Sequence, residues 1–355
     1  MRFDIKPVFC FFISAALLSG CSEHTSISSI CEKDKKDNYI LKWEVFPERD
    51  SARLEIFASD NDSIFSRNPV RTMYVNDYIA VINPDKDVVR EFFKLKVGRT
   101  TSGIISNRAF EMDSIQNLRD AGGYFTRANN QVRWGKIYRS GHLARLSPND
   151  EAILNSLRIK TVIDMRSERQ SERNPDTFKG KNYISLPIDV NNFDQEISRQ
   201  IFQGRFLKGD AHIYTQDCYR NIIDKYPVQY AQFFDILTDE SNYPVLFHCG
   251  YGKDRTGLAS YFLLKALDVP DDVIEEDFLL SNKHIDRLRM MKGLKDLPES
   301  MLEAITTLGT ADLSQLKYAI SCMKKKSGSV EDYMQKELNI TPEKKARLKE
   351  ILLYN

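Results

Sequence analysis

The stretch His248-Cys249-Gly250-Tyr251-Gly252-Lys253-Asp254-Arg255-Thr256-Gly257 decides the fold class of this chain. Residues 244–247 before it have the composition of a short apolar strand, and residues 258–264 after it continue with apolar residues at helical spacing. The pattern therefore predicts a strand, a tight loop and a helix. A loop that opens a helix directs unpaired backbone N–H groups inward, beside the positive end of the helix dipole. The expected ligand of this loop is an anion such as phosphate.

The side chains of the loop are suited to nucleophilic chemistry on a phosphate ester. Cys249 is expected at the base of the loop, where the helix terminus and Arg255 favour the thiolate and lower its pKa. The planar guanidinium of Arg255 can bind two phosphoryl oxygens and stabilise the charge that develops on them in the transition state. Thr256 can hydrogen-bond the sulfur as it leaves a phosphocysteine. Asp254, when protonated, can donate a proton to the leaving oxygen.

The other loop residues are predicted to contact the bound phosphate or to shape the loop around it. Gly250, Gly252 and Gly257 allow the backbone to approach an anion closely. Lys253 has two possible roles: it binds further phosphate on the substrate, or it adds a positive field that lowers the pKa of the cysteine. The side chain of Tyr251 points either to the substrate or to the protein. These residues complete the predicted substrate-binding set.

This loop resembles the signature loop of the cysteine-dependent protein tyrosine phosphatases, in particular the bacterial tyrosine/serine phosphatases whose loop ends in Gly-Lys-Asp-Arg-Thr-Gly. Further blocks resemble that family in the same order along the chain: 117–123 (NLRDAGG), 137–141 (IYRSG), 161–167 (TVIDMRS) with Glu172, and 276–282 (EDFLLSN). The resemblance implies an α/β catalytic domain over residues 105–355, with a phosphatase-like central sheet flanked by helices. It also implies phosphotyrosine hydrolysis, with tolerance of phosphoserine, phosphothreonine or phosphoinositides, and no metal or other cofactor.

The general acid is the least constrained of these assignments. The resemblance implies an aspartate within the loop, and Asp254 occupies that position. Other cysteine phosphatases carry the acid on a separate loop after a strand, where Asp189 is a candidate, because it follows an apolar segment (residues 182–188) that contains a proline. A carboxylate next to Arg255 can also act only as an ion-pair partner of the guanidinium. Asp254 is the favoured acid and Asp189 the alternative.

The N-terminal residues predict export and lipid anchoring. A short positively charged start is followed by an apolar run over residues 7–18, which is too short to span a bilayer. Leu18-Ser19-Gly20-Cys21 resembles a bacterial lipobox, whose cysteine becomes the lipid-modified mature N-terminus. We therefore expect residues 1–20 to be a lipoprotein signal peptide and residues 21–38 to be a lipidated cysteine with a polar tether. The mature protein would face the periplasm or the cell exterior.

Residues 39–100 have a different pattern and predict a small all-β, sandwich-like domain before the catalytic domain. Four segments alternate apolar with polar residues or are rich in β-forming residues, and polar turns separate them: 39–46, 52–57, 71–75 and 92–97. The sequence assigns no function to this domain. A spacer that packs on the catalytic domain is the favoured interpretation over a docking module.

Composition narrows the choice of partners. The 51 basic and 50 acidic residues leave a formal net charge of +1, which is no argument for a nucleic-acid partner. The expected partners are a phosphorylated protein, a phosphoinositide or a small phosphoester, together with a membrane through Cys21. His142, His212 and His284 share no metal-ligand spacing, so a zinc site is not expected.

Two other functions fit parts of the pattern. A rhodanese-like sulfurtransferase also places a cysteine loop at the start of a helix, but Asp254, Arg255 and Thr256 favour phosphate chemistry. A catalytically inactive surface binding module would keep the fold alone. The presence of both Cys249 and Arg255 argues against it.

Overall fold

The computed structural model describes residues 25–49, 51–85, 88–190, 199–200, 203, 205–286 and 298–354. The predicted signal peptide and Cys21 lie outside these ranges. Among the helices in these ranges, none combines the length and the apolar character that crossing a membrane requires.

The N-terminal part is a sandwich of two antiparallel sheets. One sheet has the strand order β1-β2-β5, and the other has the order β4-β3-β6-β7 with β8 paired to β6. Alternate residues of β2 are buried, and they meet apolar residues of the second sheet in one core. This architecture confirms the predicted small all-β domain. The strands are β1 (Ser26–Lys33), β2 (Tyr39–Phe46), β3 (Arg53–Ser59), β4 (Arg71–Tyr74), β5 (Ile79–Ile82), β6 (Phe92–Val97), β7 (Thr100–Thr101) and β8 (Ile105–Ser106).

Strand β1 corrects the prediction of a long tether. The sequence pattern assigns residues 26–33 to the polar tether over residues 21–38, but they pair with β2 along their whole length, from Ser26 opposite Phe46 to Lys33 opposite Tyr39. The serines and charged residues of β1 give it the composition of a linker. Cys31 is nevertheless buried against the sandwich core, and the ladder with β2 satisfies the backbone. The tether prediction is therefore wrong for residues 26–33.

A third, mixed sheet carries the catalytic loop. Its strand order is β11-β13-β10-β9, in which β11, β13 and β10 are parallel and β9 is antiparallel to β10. Because parallel strands end at the same edge, the last residues of these three strands, Ser140, Asp164 and His248, lie in register. The strands of this part are β9 (Arg119–Asp120), β10 (Ile137–Ser140), β11 (Thr161–Asp164), β12 (Asn182–Ser185) and β13 (Val245–His248).

Helices flank this sheet, as the sequence predicts. The helix that follows the catalytic loop, α5, is buried at every position except Lys265, which makes it the central helix of the domain. The helices are α1 (Pro148–Ser156), α2 (Glu168–Arg173), α3 (Lys208–Lys225), α4 (Pro227–Leu237), α5 (Arg255–Ala266), α6 (Asp271–Leu279), α7 (Ser281–His284), α8 (Glu299–Gly309), α9 (Leu313–Ser327), α10 (Val330–Lys336) and α11 (Pro342–Leu352).

Arg90 joins the β-sandwich to the catalytic sheet. Its guanidinium is buried, and it donates a 2.6 Å hydrogen bond from Nη1 to Asp120 Oδ2 and a 2.8 Å hydrogen bond from Nε to Ser106 Oγ. It also lies 4.9 Å from the ring centroid of Trp134. Breaking a buried ion pair of this kind typically costs about 3–5 kcal/mol. The sandwich is therefore fixed to the catalytic domain and is not loosely attached.

Candidate active site

Three carbonyl oxygens of the loop between β13 and α5 accept hydrogen bonds from groups outside the loop. Gly250 O accepts a hydrogen bond from His142 N at 3.1 Å. Asn117 Nδ2 donates to Tyr251 O at 3.1 Å and to Gly252 O at 3.0 Å. Because a trans peptide places its N–H opposite its carbonyl, carbonyls held behind the loop turn the N–H groups toward its interior. The loop is thus shaped to bind an anion before any ligand arrives.

A buried charge cluster supports the loop from behind. Arg139 donates from Nη2 to Gly252 O at 2.8 Å and from Nη1 to Asp277 Oδ2 at 2.6 Å. Arg119 Nε and the Tyr124 hydroxyl donate to the other oxygen of Asp277. Burial raises the pKa of the Asp277 carboxyl, but the two arginines outweigh it and hold that pKa well below its usual range. The sequence blocks 117–123, 137–141 and 276–282 therefore meet here. Their part in supporting the loop was not predicted.

Two of the three loop glycines are required by packing, each for a different reason. Gly252 has φ +68°, and a Cβ atom there would lie 2.4 Å from Ser140 O. A Cβ on Gly257 would meet the Phe278 ring at 3.1 Å, so this glycine lets α6 pack against α5. A Cβ on Gly250 would make only an ordinary 3.7 Å contact with Arg255 Nη2. Gly252 and Gly257 thus meet packing constraints that the sequence did not predict, and the close approach of the loop backbone to a ligand stays a prediction.

Cys249 lies at the base of the loop with only 2% of its surface exposed. Burial raises the pKa of its thiol, but the charge of Arg255 and the neighbouring hydroxyl and backbone N–H of Thr256 outweigh burial, and the net pKa is lowered. The Thr256 hydroxyl is itself buried and has no hydrogen-bond partner among the described residues. The hydroxyl is therefore available to hydrogen-bond the Cys249 sulfur. The predicted roles of these residues are geometrically consistent.

The guanidinium of Arg255 is fixed by hydrogen bonds from one of its two terminal nitrogens, Nη1, to the protein. Nη1 donates to Gln170 Oε1 at 2.8 Å, to Ile188 O at 3.0 Å and to Met165 O at 3.3 Å. Nη2 is the nitrogen that faces the Gly250 position. The guanidinium is thereby oriented with one edge toward the protein and the other toward the loop. Gln170 was not identified from the sequence, because its contact with Arg255 spans 85 residues.

Asp254 is bonded through one carboxylate oxygen. Its Oδ1 accepts from the Tyr219 hydroxyl at 2.9 Å and from Lys253 Nζ at 2.7 Å. The Asp254 side chain is 32% exposed, whereas that of Lys253 is 4% exposed. The ammonium of Lys253 is thus paired with the neighbouring carboxylate and does not extend into solvent.

The alternative acid also lies near the loop. Asp189 is exposed and directly follows Ile188, whose carbonyl accepts from Arg255. Burial raises the pKa of the Tyr214 phenol, and Asp254 and Asp189 both raise it further. The structure therefore places both candidate carboxylates in the neighbourhood of one tyrosine. The sequence leaves open whether the side chain of Tyr251 points to the substrate or to the protein. In the structure Tyr251 is 43% exposed.

His248 belongs to a buried polar cluster beneath the loop. Its Nε2 lies 3.1 Å from Asp176 Oδ2, and its Nδ1 lies 3.8 Å from Asp164 Oδ1. These three groups are close enough together to hold a metal ion. The guanidinium of Arg166, however, already bonds Asp164 Oδ2 at 2.7 Å and Asp176 Oδ2 at 2.8 Å. The cluster is thus neutralised by protein cations and braces the end of β13.

A buried cysteine of lowered pKa, in a loop whose N–H groups face inward beside an oriented arginine, defines a cysteine-dependent phosphatase. Residues 110–354 match the model of the tyrosine phosphatase family. The chain belongs to this family and is a cysteine-based hydrolase of phosphoric monoesters. The sulfurtransferase and inactive-module alternatives are not supported.

Three relatives have similar sequences. A tyrosine-protein phosphatase of Cupriavidus necator is 29% identical over 236 residues, which is 64% of this chain and 83% of that protein. The triple specificity protein phosphatase PtpB of Mycobacterium tuberculosis is 29% identical over 205 residues, 50% of this chain and 71% of that protein. A tyrosine-protein phosphatase of Nostoc commune is 25% identical over 148 residues, 42% of this chain and 49% of that protein.

Proposed function

We propose that this chain is an exported, lipid-anchored phosphatase that works through a phosphocysteine on Cys249. The observation that carries the mechanism is the arrangement of the loop between β13 and α5. Its carbonyls are bonded behind it, and its cysteine has a lowered pKa. A phosphate bound there accepts hydrogen bonds both from backbone N–H groups of the loop and from the guanidinium of Arg255.

The first half-reaction transfers the phosphoryl group to sulfur. The Cys249 thiolate attacks phosphorus, the S–P bond forms, and the bond from phosphorus to the ester oxygen breaks. Asp254 gives its proton to that oxygen, so the alcohol or phenol leaves neutral. The Arg255 guanidinium stabilises the equatorial oxygens as negative charge spreads over them.

The second half-reaction restores the enzyme. The Asp254 carboxylate takes a proton from water, the water oxygen attacks phosphorus, and the P–S bond breaks to release inorganic phosphate and the thiolate. The Thr256 hydroxyl can hydrogen-bond the departing sulfur. Asp254 Oδ1 is already bonded by Tyr219 and Lys253, so its Oδ2 is the oxygen to carry the proton.

The leaving-group dependence of two variants separates the candidate acids. Asp254→Asn should slow alkyl phosphates with poor leaving groups far more than aryl phosphates with good ones, because a good leaving group needs little protonation. Asp189→Asn should slow both alike or neither. The reverse pattern would assign the acid to Asp189.

The proposed substrates are phosphorylated proteins, with phosphotyrosine first and phosphoserine and phosphothreonine next. Phosphoinositides are a further proposed class. The name of the M. tuberculosis relative, triple specificity protein phosphatase, supports a broad range of substrates. The exposed ring of Tyr251 at the loop rim supports contact with a substrate group beyond the phosphate.

The test uses the chain from Ser22 onward, purified in reductant, with a generic aryl phosphate and EDTA present. We expect turnover that EDTA does not affect and that vanadate inhibits, and we expect Cys249→Ser to lose it by several orders of magnitude. Arg255→Lys should also lose most of the activity, because lysine cannot bind two oxygens as a planar fork. Near-normal turnover by Cys249→Ser would refute the phosphocysteine mechanism.

Membrane anchoring is proposed from residues 1–21 alone. The apolar run and the sequence Leu18-Ser19-Gly20-Cys21 support lipidation of Cys21 and export to the periplasm or the cell surface. Incorporation of labelled palmitate into the wild-type chain but not into Cys21→Ser would support this part. Equal labelling of both proteins, or of neither, would contradict it.

A further inference from the structure

We infer that the end of the β-sandwich nearest its N-terminus rests directly on the lipid surface to which Cys21 is anchored. This inference rests on the proposed lipidation of Cys21 and adds a contact surface that the anchor alone does not require. Its occupant is a phospholipid bilayer.

The first observation is the shortness of the link between Cys21 and the sandwich. Strand β1 begins at Ser26, so only residues 22–25 lie between the anchor and the fold. Fully extended, the five steps from Cys21 to Ser26 span at most about 18 Å. This is less than the length of a small domain, so the sandwich cannot stand well clear of the bilayer.

The second observation is the register of the first two strands. Ser26, where the chain leaves for Cys21, lies opposite Phe46, the last residue of β2. The side chain of Phe46 is 63% exposed. An exposed aromatic ring is thus positioned beside the residue that leads to the proposed anchor.

One further exposed aromatic residue lies at the same end of the sandwich, and another lies three residues away from this end along β2. Tyr74 is 58% exposed and pairs with Arg53 at the start of β3, and Tyr78 is 51% exposed with its carbonyl bonded to Trp43 N of β2. Tyrosine is enriched where a bilayer meets water, because its apolar ring can contact lipid while its hydroxyl hydrogen-bonds to water.

The charges at this end are of both signs. Exposed Arg49, Arg53 and Arg99 are offset by exposed Glu48 and Asp77. Aromatic contact, with the anchor supplying high local concentration, is therefore the expected source of binding, and net charge is not. Since Arg90 fixes the sandwich to the catalytic domain, this contact would also set the orientation of the active site relative to the membrane.

The test places a tryptophan at each end of the sandwich in the full lipidated chain. Phe46→Trp reports the proposed contact end. Ile64→Trp is the matched control, because Ile64 is 75% exposed and its carbonyl accepts from Ser59 at the far end of β3, about 20 Å away. Both proteins are reconstituted in phosphatidylethanolamine–phosphatidylglycerol vesicles that contain brominated lipid, and the emission of the unsubstituted chain is subtracted.

We expect brominated lipid to quench the added emission of the Phe46→Trp protein at least twofold and to leave that of the Ile64→Trp protein unchanged. Equal quenching of both, or of neither, would overturn the proposal. Mass spectrometry of the same samples shows whether Cys21 carries lipid, and an unmodified Cys21 would overturn the membrane contact together with the anchor. Hydrolysis of a soluble aryl phosphate by these samples tests the proposed reaction separately.

Discussion

The hydroxyl of Tyr219 donates a 2.9 Å hydrogen bond to Asp254 Oδ1, and so links helix α3 to the proposed general acid in the catalytic loop. Tyr219 is completely buried, and burial together with Asp254 raises the pKa of its phenol well above the usual range. The phenol therefore stays protonated and acts as a fixed donor. Together with Lys253 it holds the carboxylate in one orientation.

Tyr219→Phe should lower kcat for alkyl phosphates by about 10-fold, because a hydrogen bond to a charged group contributes roughly 1.5–3 kcal/mol and the acid would lose its orientation. Aryl phosphates with good leaving groups should be nearly unaffected. Steady-state kinetics over a leaving-group series measures this. Tyr333→Phe is the control, because it removes a buried hydroxyl that bonds Ile223 O on the same helix. Equal losses in both variants would mean that Tyr219 supports only the fold.

Thr256→Ala should raise the pKa of the Cys249 thiol, because it removes a neighbouring hydroxyl that can donate to the thiolate and favours it. The rate of alkylation by iodoacetamide should then reach its half-maximum at a higher pH than in the wild type. Thr256→Ser keeps the hydroxyl and should behave like the wild type. An unchanged alkylation profile in Thr256→Ala would show that Arg255 and the helix terminus set the pKa without this hydroxyl.

Gly252→Ala should be much more damaging than Gly98→Ala, although both glycines have positive φ, +68° and +58° respectively. A left-handed alanine costs about 1 kcal/mol at either site. At Gly98 a Cβ meets nothing within 4 Å, whereas at Gly252 it collides with the Ser140 carbonyl. We expect Gly98→Ala to keep full activity and Gly252→Ala to lose most of its activity, measured beside urea unfolding of each. Similar behaviour of the two variants would contradict the packed loop.

His248 should make stability depend on pH. Burial lowers the pKa of the imidazole, but Asp176 and Asp164 outweigh it, and the net pKa is raised above 6.5. The stabilisation from protonated His248 is then complete below pH 6.5 and is lost as pH rises through the folded-state pKa. In urea unfolding, His248→Gln should therefore differ most from the wild type near about pH 6, and the difference should shrink toward about pH 9. If the difference in the free energy of unfolding grows with pH instead, His248 is neutral in the folded protein.

The carboxyl of Asp164 in that cluster titrates outside this pH window. Burial raises the pKa of Asp164, but Arg166 and His248 prevail and bring it to about 2. Asp164 therefore stays ionised throughout the range in which His248 is tested and cannot produce the expected change. Its own contribution is present above about pH 4 and is lost only as pH falls through about 2.

The catalytic loop and its family could be predicted from the sequence, because the residues from His248 to Gly257 are contiguous and chemically distinctive. The side chains that hold this loop could not be assigned roles in the same way. Asn117 bonds Gly252 across 135 positions, and Tyr219 bonds Asp254 across 35. Such contacts depend on how strands and helices pack, which local periodicity does not encode.

Strand β1 shows a different limit of prediction from sequence, because its own composition does not identify it as a strand. Its serines and lysine satisfy the composition of a linker, and its apolar positions are too few to reveal a strand. Only the neighbouring strand β2, with its buried Tyr39, Leu41 and Trp43, gives those few residues a core to pack on. Strand assignment here depends on the partner as much as on the segment itself.

The bonds that hold the catalytic loop have a consequence for the order in which the protein acquires its chemistry. Asn117 contacts both the loop and Ser281, so the groups that shape the loop come from segments 164 residues apart. In an unfolded chain Cys249 is an ordinary thiol, because Arg255 and Thr256 lower its pKa only where the fold holds them beside the sulfur. The reactive thiolate is therefore a product of completed folding, and a partly made or unfolded chain carries no activated nucleophile.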